Sequence, residues 1–437
     1  MPFGEYEPGF DTVTRMERRA FLTLSALPFL SAQAQVTRSN LKIKDVWLER
    51  VEGERESLAG VDKQHQVQPL HIYDDQRPKE YRDAPNPQMT KGKASALYLR
   101  IETTGDVYGL YGPIDREAAV VVDLQLRPFL LGKDPLAGET LWDQLYRLNR
   151  HSRAGHYLLG VSAVDNALWD LRGRYFSTPV YRLLGGPTRP QVEAYASCLG
   201  YSLQPDAVAT RSKAFQNEGF RYQKWFPAYG PGDGHEGLAK NIRLVRVLRE
   251  TLGDSSEIMF DVFQGWQLDY ALAWAKQVES LRPRWLEEAF PVDRIETFAQ
   301  LRRSTSVPIA SGEHFYGRWE ANDYLKAGAI SVVQADPEWC GGVSELVKIC
   351  HIASLYDAQV IPHGHSLHAA LHVVASQNPS TCPLVEYLVS KMQSYYFFEK
   401  NVLKPVAGKV KLPEGPGFGI ELNDSVIQSR SRFKALA

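Results

Sequence analysis

Two absences narrow this chain before any motif is read. It has no apolar run of about 18 residues, the least that crosses a bilayer as a helix. It has no excess of either charge, since Lys and Arg number 50 and Asp and Glu 51. That balance argues against nucleic acid or an anionic membrane surface as partner. Cysteine is scarce: Cys198, Cys340, Cys350 and Cys382 are scattered without CxxC spacing. They fit neither a zinc site nor a disulfide framework, and read as buried free thiols. Neither GxGxxG nor GxxxxGK(S/T) occurs, so the glycine-rich stretch from Gly230 to Gly234 reads as a mobile βα loop rather than a phosphate cradle.

What is present begins at the N-terminus. Met16-Glu17-Arg18-Arg19 precedes an apolar run from Ala20 to Leu30, and Ala32-Gln33-Ala34 follows. A charged start, a short apolar core and a small-x-small site describe a signal peptide, and the paired arginines resemble a twin-arginine export signal. On this reading residues 1–34 are removed, the mature chain starts near Gln35, and the protein is exported, to the periplasm. If the signal is unused, the protein stays in the cytoplasm.

The 437 residues allow two domains, because a (β/α)₈ barrel uses roughly 250. From Leu41 to Gly53 the pairs Leu41/Ile43 and Val46/Leu48 suggest a strand bulged between them. Residues 54–93 are polar and proline-containing and read as a long loop of the lid or binding kind. A second strand over 95–103 turns at Thr104-Gly105-Asp106 into a third at 107–111, and helical patterns follow over 117–130 and 139–150. Strands followed by helices make a small α+β domain, residues 35–155. Gly160 to Gly186 then reads as a helix with small residues on one face, ended by Pro179 and Gly185-Gly186. Val192–Ala196 and Arg221–Phe226 are the first two strands of a barrel spanning 156–390. The tail, 391–437, carries Pro416-Gly417-Phe418-Gly419-Ile420 and is expected to return to the N-terminal domain.

The strongest signal is a ladder. Asp261, Glu287, Glu313, Asp336, His363 and Glu386 recur at intervals of 26, 26, 23, 27 and 23 residues, most of them at the end of a short apolar run. One strand, one helix and two loops occupy about that length, so each is the polar residue at a strand's C-terminal end. A closed ring of such units gathers them on one face.

The residue types then suggest roles. Asp261, Glu287 and Glu313 would converge, and three anions so close repel unless a cation lies among them. All are hard oxygen ligands with no cysteine nearby, which fits Mg²⁺ or Mn²⁺. Glu288 is an alternative to Glu287; strand alternation sends the two neighbours to opposite sides, and equal spacing selects Glu287. Asp336 and His363 suit a carboxylate–imidazole pair in which the acid fixes the tautomer of a general base. His314, directly after Glu313, is a further proton-transfer candidate, with His365 behind it; His368 and His372 have the helical spacing of packing residues. Lys224 could point a cation at a substrate anion. Glu386 could accept a hydrogen bond from substrate or sit in a structural salt bridge.

These residues resemble the enolase superfamily and, within it, the mandelate racemase subgroup. The three acids look like its Mg²⁺ ligands, Trp285-Leu286-Glu287-Glu288 like its fourth-strand motif, Asp336 and His363 like its His–Asp dyad, and GVSAVDNALWDL with PVYRLLGG like its barrel-entry helix. Ser311-Gly312-Glu313-His314, Asp336-Pro337-Glu338-Trp339-Cys340-Gly341-Gly342, Val360-Ile361-Pro362-His363-Gly364 and Pro416 to Asn423 are similar to the acid-sugar dehydratases of the L-rhamnonate dehydratase type. Two places depart. Phe226 stands where a second lysine would follow Lys224, which argues against a two-base racemase, and both residues 54–93 and the Gly-His-Ser-Leu-His run after His363 match poorly.

The resemblance implies a (β/α)₇β-type modified TIM barrel, an α/β fold, under an α+β capping domain built from both ends of the chain. It implies Mg²⁺, a small acid sugar as substrate, and a homo-oligomer. The activity it implies is abstraction of the proton alpha to a carboxylate by His363 and loss of the β-hydroxyl to give a 2-keto-3-deoxy acid. His363 or His314 would protonate the leaving group, and His71 and Arg82 on the capping loop would touch substrate. The alternatives are a racemase or epimerase using the same enediolate, and a binding protein that keeps the metal.

Overall fold

The computed structural model describes residues 40–59, 64–79 and 88–436. The export signal expected over residues 1–34 lies outside the described residues, and so does Arg82. No helix among the described residues is long and apolar enough to cross a membrane.

Two sheets organise the chain. The first is antiparallel: β1 (Ile43–Ala59), β2 (Gln88–Thr103) and β3 (Tyr108–Tyr111) lie side by side, and the last strand, β13 (Ser429–Phe433), pairs with the outer edge of β1. The register of β1 shifts between Ile43 and Asp45, where the apolar pairs are out of step. The stretch expected to be a loop over 54–93 is shorter, because β1 and β2 extend as an arm that pairs as far as Ala59 opposite Gln88. Its alternation is hidden because both faces are polar. Glu54 stands opposite Lys93 and Glu56 opposite Lys91, so charge pairing takes the place of an apolar face.

Helices α1 (Arg116–Val121) and α2 (Arg127–Leu130), joined by a π-helical turn over Val122–Leu126, form one segment, and α3 (Gly138–Leu148) follows. Next comes α4 (His156–Tyr175), which has small or apolar residues on nearly every side and is accordingly buried along most of its length. After the short α5 (Val180–Leu183) the second sheet begins. Its strands are β4 (Gln191–Ser197), β5 (Tyr222–Trp225), β6 (Glu257–Asp261), β7 (Trp285–Glu287), β8 (Ile309–Ser311), β9 (Val332–Val333), β10 (Gln359–Val360) and β11 (Leu384–Leu388). Each of β4 to β10 is parallel to the next, and β11 pairs in parallel with β4. Helices α6 (Pro205–Asn217), α7 (Gly234–Leu252), α8 (Leu268–Val278), α9 (Ile295–Arg303), α10 (Arg318–Lys326), α11 (Val343–Ser354) and α12 (His368–Ser376) fall between them, and α13 (Val389–Tyr395) follows β11.

The curl of this sheet closes on an inner core. Tyr195, Met259, Trp285, Ala310, Val332, Ile361 and Leu384 form one buried cluster, with Tyr222 packed against it. Each comes from a different strand or its immediate end, which is the interior layer of a barrel. At the seam between β10 and β11, Val360 N–H donates to Thr381 O at 2.7 Å. The tail touches both sheets: β12 (Lys409–Lys411) pairs with β4, while β13 completes the first sheet. Phe418 meets Tyr111 edge-on at 5.3 Å. All four cysteines are buried and free.

Candidate active site

The inner cluster explains why the functional side chains face one another. Side chains alternate across a strand, so a residue two positions beyond an inward apolar one also points inward. Lys224 lies two past Tyr222, Asp261 two past Met259, Glu287 two past Trp285, His363 two past Ile361, and Glu386 two past Leu384. Asp336 lies four past Val332, in the same phase. Glu313 breaks the phase, three past Ala310, and Gly312 between them has φ 128°, a conformation that favours glycine and turns the chain.

Lys224 is at the centre of the acids. Its Nζ is 2.5 Å from Glu287 Oε1, 2.9 Å from Glu386 Oε1 and 3.2 Å from Asp261 Oδ2. Burial alone would discharge this amine, but Glu287, Glu386 and Asp261 outweigh it and raise its pKa. Asp261, Glu287 and Glu313 offer oxygens that all lie within 4.8 Å of one another, and all three side chains are buried. Burial and the neighbouring Asp261 push Glu287 up to about 8, against the pull of Lys224. Glu313 is raised too, by burial against His363 and then by Glu288, Asp261 and Glu287. One ammonium cannot balance four carboxyl groups in this buried space, so burial and mutual repulsion hold protons on some of them unless a cation joins the set. Such a set of hard oxygens fits a divalent cation of the magnesium kind.

Glu287 is further held by Trp285 Nε1, which donates to Oε2 at 2.8 Å. Its neighbour Glu288 does not turn away as strand alternation suggested. It lies past the end of β7 with φ 46°, and so remains buried beside the site. Gln264 Nε2 donates to its Oε2 at 2.9 Å, and His314 Nδ1 lies 3.1 Å from both of its oxygens. Glu288, Glu313 and His314 therefore form a second close group. Glu288 outweighs burial to raise the His314 pKa.

Across the mouth, His363 Nδ1 is 2.7 Å from Asp336 Oδ2. Asp336 is itself fixed by main-chain donors, Glu338 N–H at 2.6 Å and His365 N–H at 3.2 Å. The other imidazole nitrogen, Nε2, is 3.9 Å from Glu313 Oε2. Burial lowers the His363 pKa, but Glu313 and Asp336 more than reverse this and raise it. Glu386 pairs its Oε1 with the Lys224 ammonium at 2.9 Å, without hydrogen-bond alignment, and its Oε2 accepts from Gly364 N–H at 2.8 Å. Gly364 must be small there, because a Cβ would stand 2.7 Å from Glu386 Cβ and Cγ.

His71 lies on a 3₁₀ turn, Pro69–Ile72, in the segment 64–79. That segment is pinned over strand ends by Gln64 N–H to Gly200 O at 3.0 Å and Val67 N–H to Pro227 O at 2.9 Å. His71 pairs edge-on with His65 at 6.2 Å; among the described residues no hydrogen bond or ion pair links it to the ladder. His368 and His372 pack as their spacing suggested, His368 against Glu399 at 2.9 Å and His372 accepting from Tyr181 N–H at 3.0 Å.

Sequence reading missed Trp339, Asp115, Lys391 and Gln264. The Trp339 ring lies 4.9 Å from that of His363 and 5.7 Å from that of His314. Its only signal was a place in the motif after Asp336.

The comparisons with known proteins fit this arrangement. Residues 207–426 match the enolase C-terminal domain-like family, and residues 81–185 match the mandelate racemase / muconate lactonizing enzyme N-terminal domain. The chain is 34% identical over 317 residues to an L-rhamnonate dehydratase of Saccharopolyspora erythraea, covering 70% of this chain and 78% of the relative. The crystal structure of L-rhamnonate dehydratase from Gibberella zeae superposes with TM-score 0.73 at 27% identity, over 88% of this chain and 94% of that one. A Mg complex of the Gibberella zeae rhamnonate dehydratase gives TM-score 0.73 at 26% identity, over 88% and 95%. This chain belongs to the enolase superfamily, as an L-rhamnonate dehydratase-like enzyme of its mandelate racemase subgroup.

Proposed function

We propose that this enzyme is a Mg²⁺-dependent dehydratase of an acid sugar, an aldonate, with Asp261, Glu287 and Glu313 holding the metal and His363 acting as base. The observation that carries this reading is the position of His363: its Nδ1 is on Asp336 at 2.7 Å and its Nε2 faces the carboxylate set, 3.9 Å from Glu313.

A proton alpha to a carboxylate is hard to remove because the product carries a second negative charge. When bound, the cation supplies a Lewis acid for the substrate carboxylate and the charge that develops on it. Lys224 adds a fixed positive charge in the same buried space, already oriented by Glu287 and Glu386. Asp336 keeps the hydrogen of His363 on Nδ1, so Nε2 carries the lone pair and takes the alpha proton. The β carbon–oxygen bond then breaks. The departing hydroxyl takes a proton from His363 or from His314, whose Nδ1 is occupied by Glu288 and Gln264. Water leaves, and the enol tautomerises to a 2-keto-3-deoxy acid. Glu386 holds Lys224 and is placed to accept from substrate. His71 and Arg82 are our candidates for contact with the far end of the sugar acid.

The test is a panel of aldonates, L-rhamnonate among them, incubated with enzyme and MgCl₂ and scored for 2-keto acid. Formation of a 2-keto acid from one of them is expected. Alpha-proton exchange in D₂O without 2-keto acid would favour an epimerase, and no reaction with any of the panel would overturn the dehydratase reading.

A further inference from the structure

Asp115 stands immediately before α1, where an aspartate ordinarily caps the helix by accepting from its first N–H groups. Its side chain makes no such bond. One oxygen instead accepts from Trp339 Nε1 at 3.3 Å, and the other lies 3.1 Å from His365 Nε2. Both partners belong to the barrel, and both lead to the dyad.

The first route is through stacking. Trp339 packs against both imidazoles proposed for proton transfer, inclined by 30° to His363 and by 29° to His314. Fixing its indole nitrogen fixes the wall against which His363 rests. The second route is through the main chain. The His365 N–H donates to Asp336 Oδ2, the same oxygen that holds His363 Nδ1. His365 is itself oriented: Lys391 Nζ is 2.9 Å from its Nδ1 and 2.9 Å from its carbonyl oxygen, over the face of Tyr395. An ammonium donating to Nδ1 leaves the ring hydrogen on Nε2, the nitrogen that pairs with Asp115 at 3.1 Å without hydrogen-bond alignment.

We propose that Asp115 is a positioning residue for the Asp336–His363 dyad, closing a ring through Trp339 on one side and His365 on the other. The inference rests on the dyad reading above. A carboxylate from the strand-and-helix layer outside the barrel thus sets where the base stands, and does so without touching substrate.

Displacing a reacting group by about 1 Å can cost roughly a hundredfold in rate. Asp115→Ala is therefore expected to lower kcat by about tenfold to a hundredfold, with KM changed far less. Trp339→Phe keeps an aromatic wall but removes the indole donor to Asp115 and should lose a few fold, and Trp339→Ala, which removes wall and donor together, should lose more. The double variant Asp115→Ala/Trp339→Ala should fall short of the combined single losses, because both remove the Trp339–Asp115 contact. Asp115→Asn leaves one acceptor oxygen for two donors, so it should loosen Trp339 or His365 and fall between the parent and Asp115→Ala.

The tautomers are read without substrate, from ¹⁵N spectra of the histidine side chains of the full chain, assigned with His363→Gln and His365→Gln. Shifts at His363 and His365 in the Asp115 variants, with His71 and His151 unmoved, support the ring. Unmoved signals at His363 and His365, a kcat within twofold of the parent, or additive losses in the double variant would each overturn it. Should the parent turn over no aldonate, the dehydratase reading fails by itself, and the spectra still decide whether Asp115 positions the dyad.

Discussion

Removing the metal should make this enzyme lose stability as pH rises, and the carboxylate ladder gives the size of the loss. In the metal-free protein burial and Asp261 hold Glu287 up to about 8, while Asp261 and Glu313 are raised as well, burial being the first cause in each. A glutamate in the unfolded chain titrates near about 4.3. Between these values the folded state keeps a proton that the unfolded state has released, so unfolding free energy falls with pH, by about 1.4 kcal/mol per unit for each such proton. Over its whole window Glu287 alone amounts to roughly 5 kcal/mol. The loss begins above the unfolded value and is complete once pH passes the folded one. A divalent cation that binds only the folded state adds about 2.7 kcal/mol at a hundredfold excess over its Kd. It needs the acids deprotonated, so its effect should be small near pH 5 and grow toward pH 8. Thermal melts in EDTA and in MgCl₂ across that range should therefore separate progressively, and Glu287→Gln should bring the two series together. Parallel series, or a Mg²⁺ shift as large at the acid end as at neutral pH, would refute the ladder as the metal site.

Three further outcomes follow from named contacts. His363→Asn should abolish turnover, a loss of at least about a hundredfold, while the Mg²⁺-dependent shift in melting temperature persists; unchanged 2-keto acid formation would remove the dyad. The His363 pKa is raised by Glu313 and Asp336 against burial, and a base works neutral, so kcat/KM should rise with pH through that value. Asp336→Asn, which removes one raising charge, should move this acid limb to lower pH and lower the plateau; an unmoved limb would count against the pair. Lys224→Met leaves Glu287, Glu386 and Asp261 without their ammonium, and breaking a buried pair costs about 3–5 kcal/mol. Its melting temperature in EDTA should fall clearly, with part of the loss recovered by MgCl₂.

The ladder was legible because one physical rule repeats along the chain. Each βα unit returns a strand whose last inward position follows an inward apolar residue by two, and Met259/Asp261, Trp285/Glu287 and Ile361/His363 write that rule into the sequence at nearly even spacing. What escaped were positions where the rule stops. Alternation was expected to send Glu287 and Glu288 to opposite sides, but alternation ends with β7, and a left-handed residue keeps Glu288 buried beside His314. The arm of β1 and β2 looked like a loop because polar residues on both faces erase the period by which a strand is recognised. Asp115 carries no signal in the sequence, and only its partners, 224 residues distant at Trp339, distinguish it. Lys391 follows β11 on a short helix and meets His365 through tertiary folding alone.

Glu386 is where sequence left two roles open, and the charges decide how they combine. Lys224 stands between β7 and β11, closer to Glu287 at 2.5 Å than to Glu386 at 2.9 Å. On the proposed reading Glu287 would be one of the residues that hold the cation, and its pull on Lys224 would then weaken. The ammonium remains charged only if another anion takes up the loss, and burial makes the alternative, deprotonation, the default for an amine without a partner. Glu386 is that anion: its second oxygen is anchored by the Gly364 N–H, beside His363, so it cannot swing away with the lysine. On that reading the salt bridge would keep Lys224 charged and in place with a metal bound. Any acceptor role toward substrate is exercised by a carboxylate already held at both oxygens.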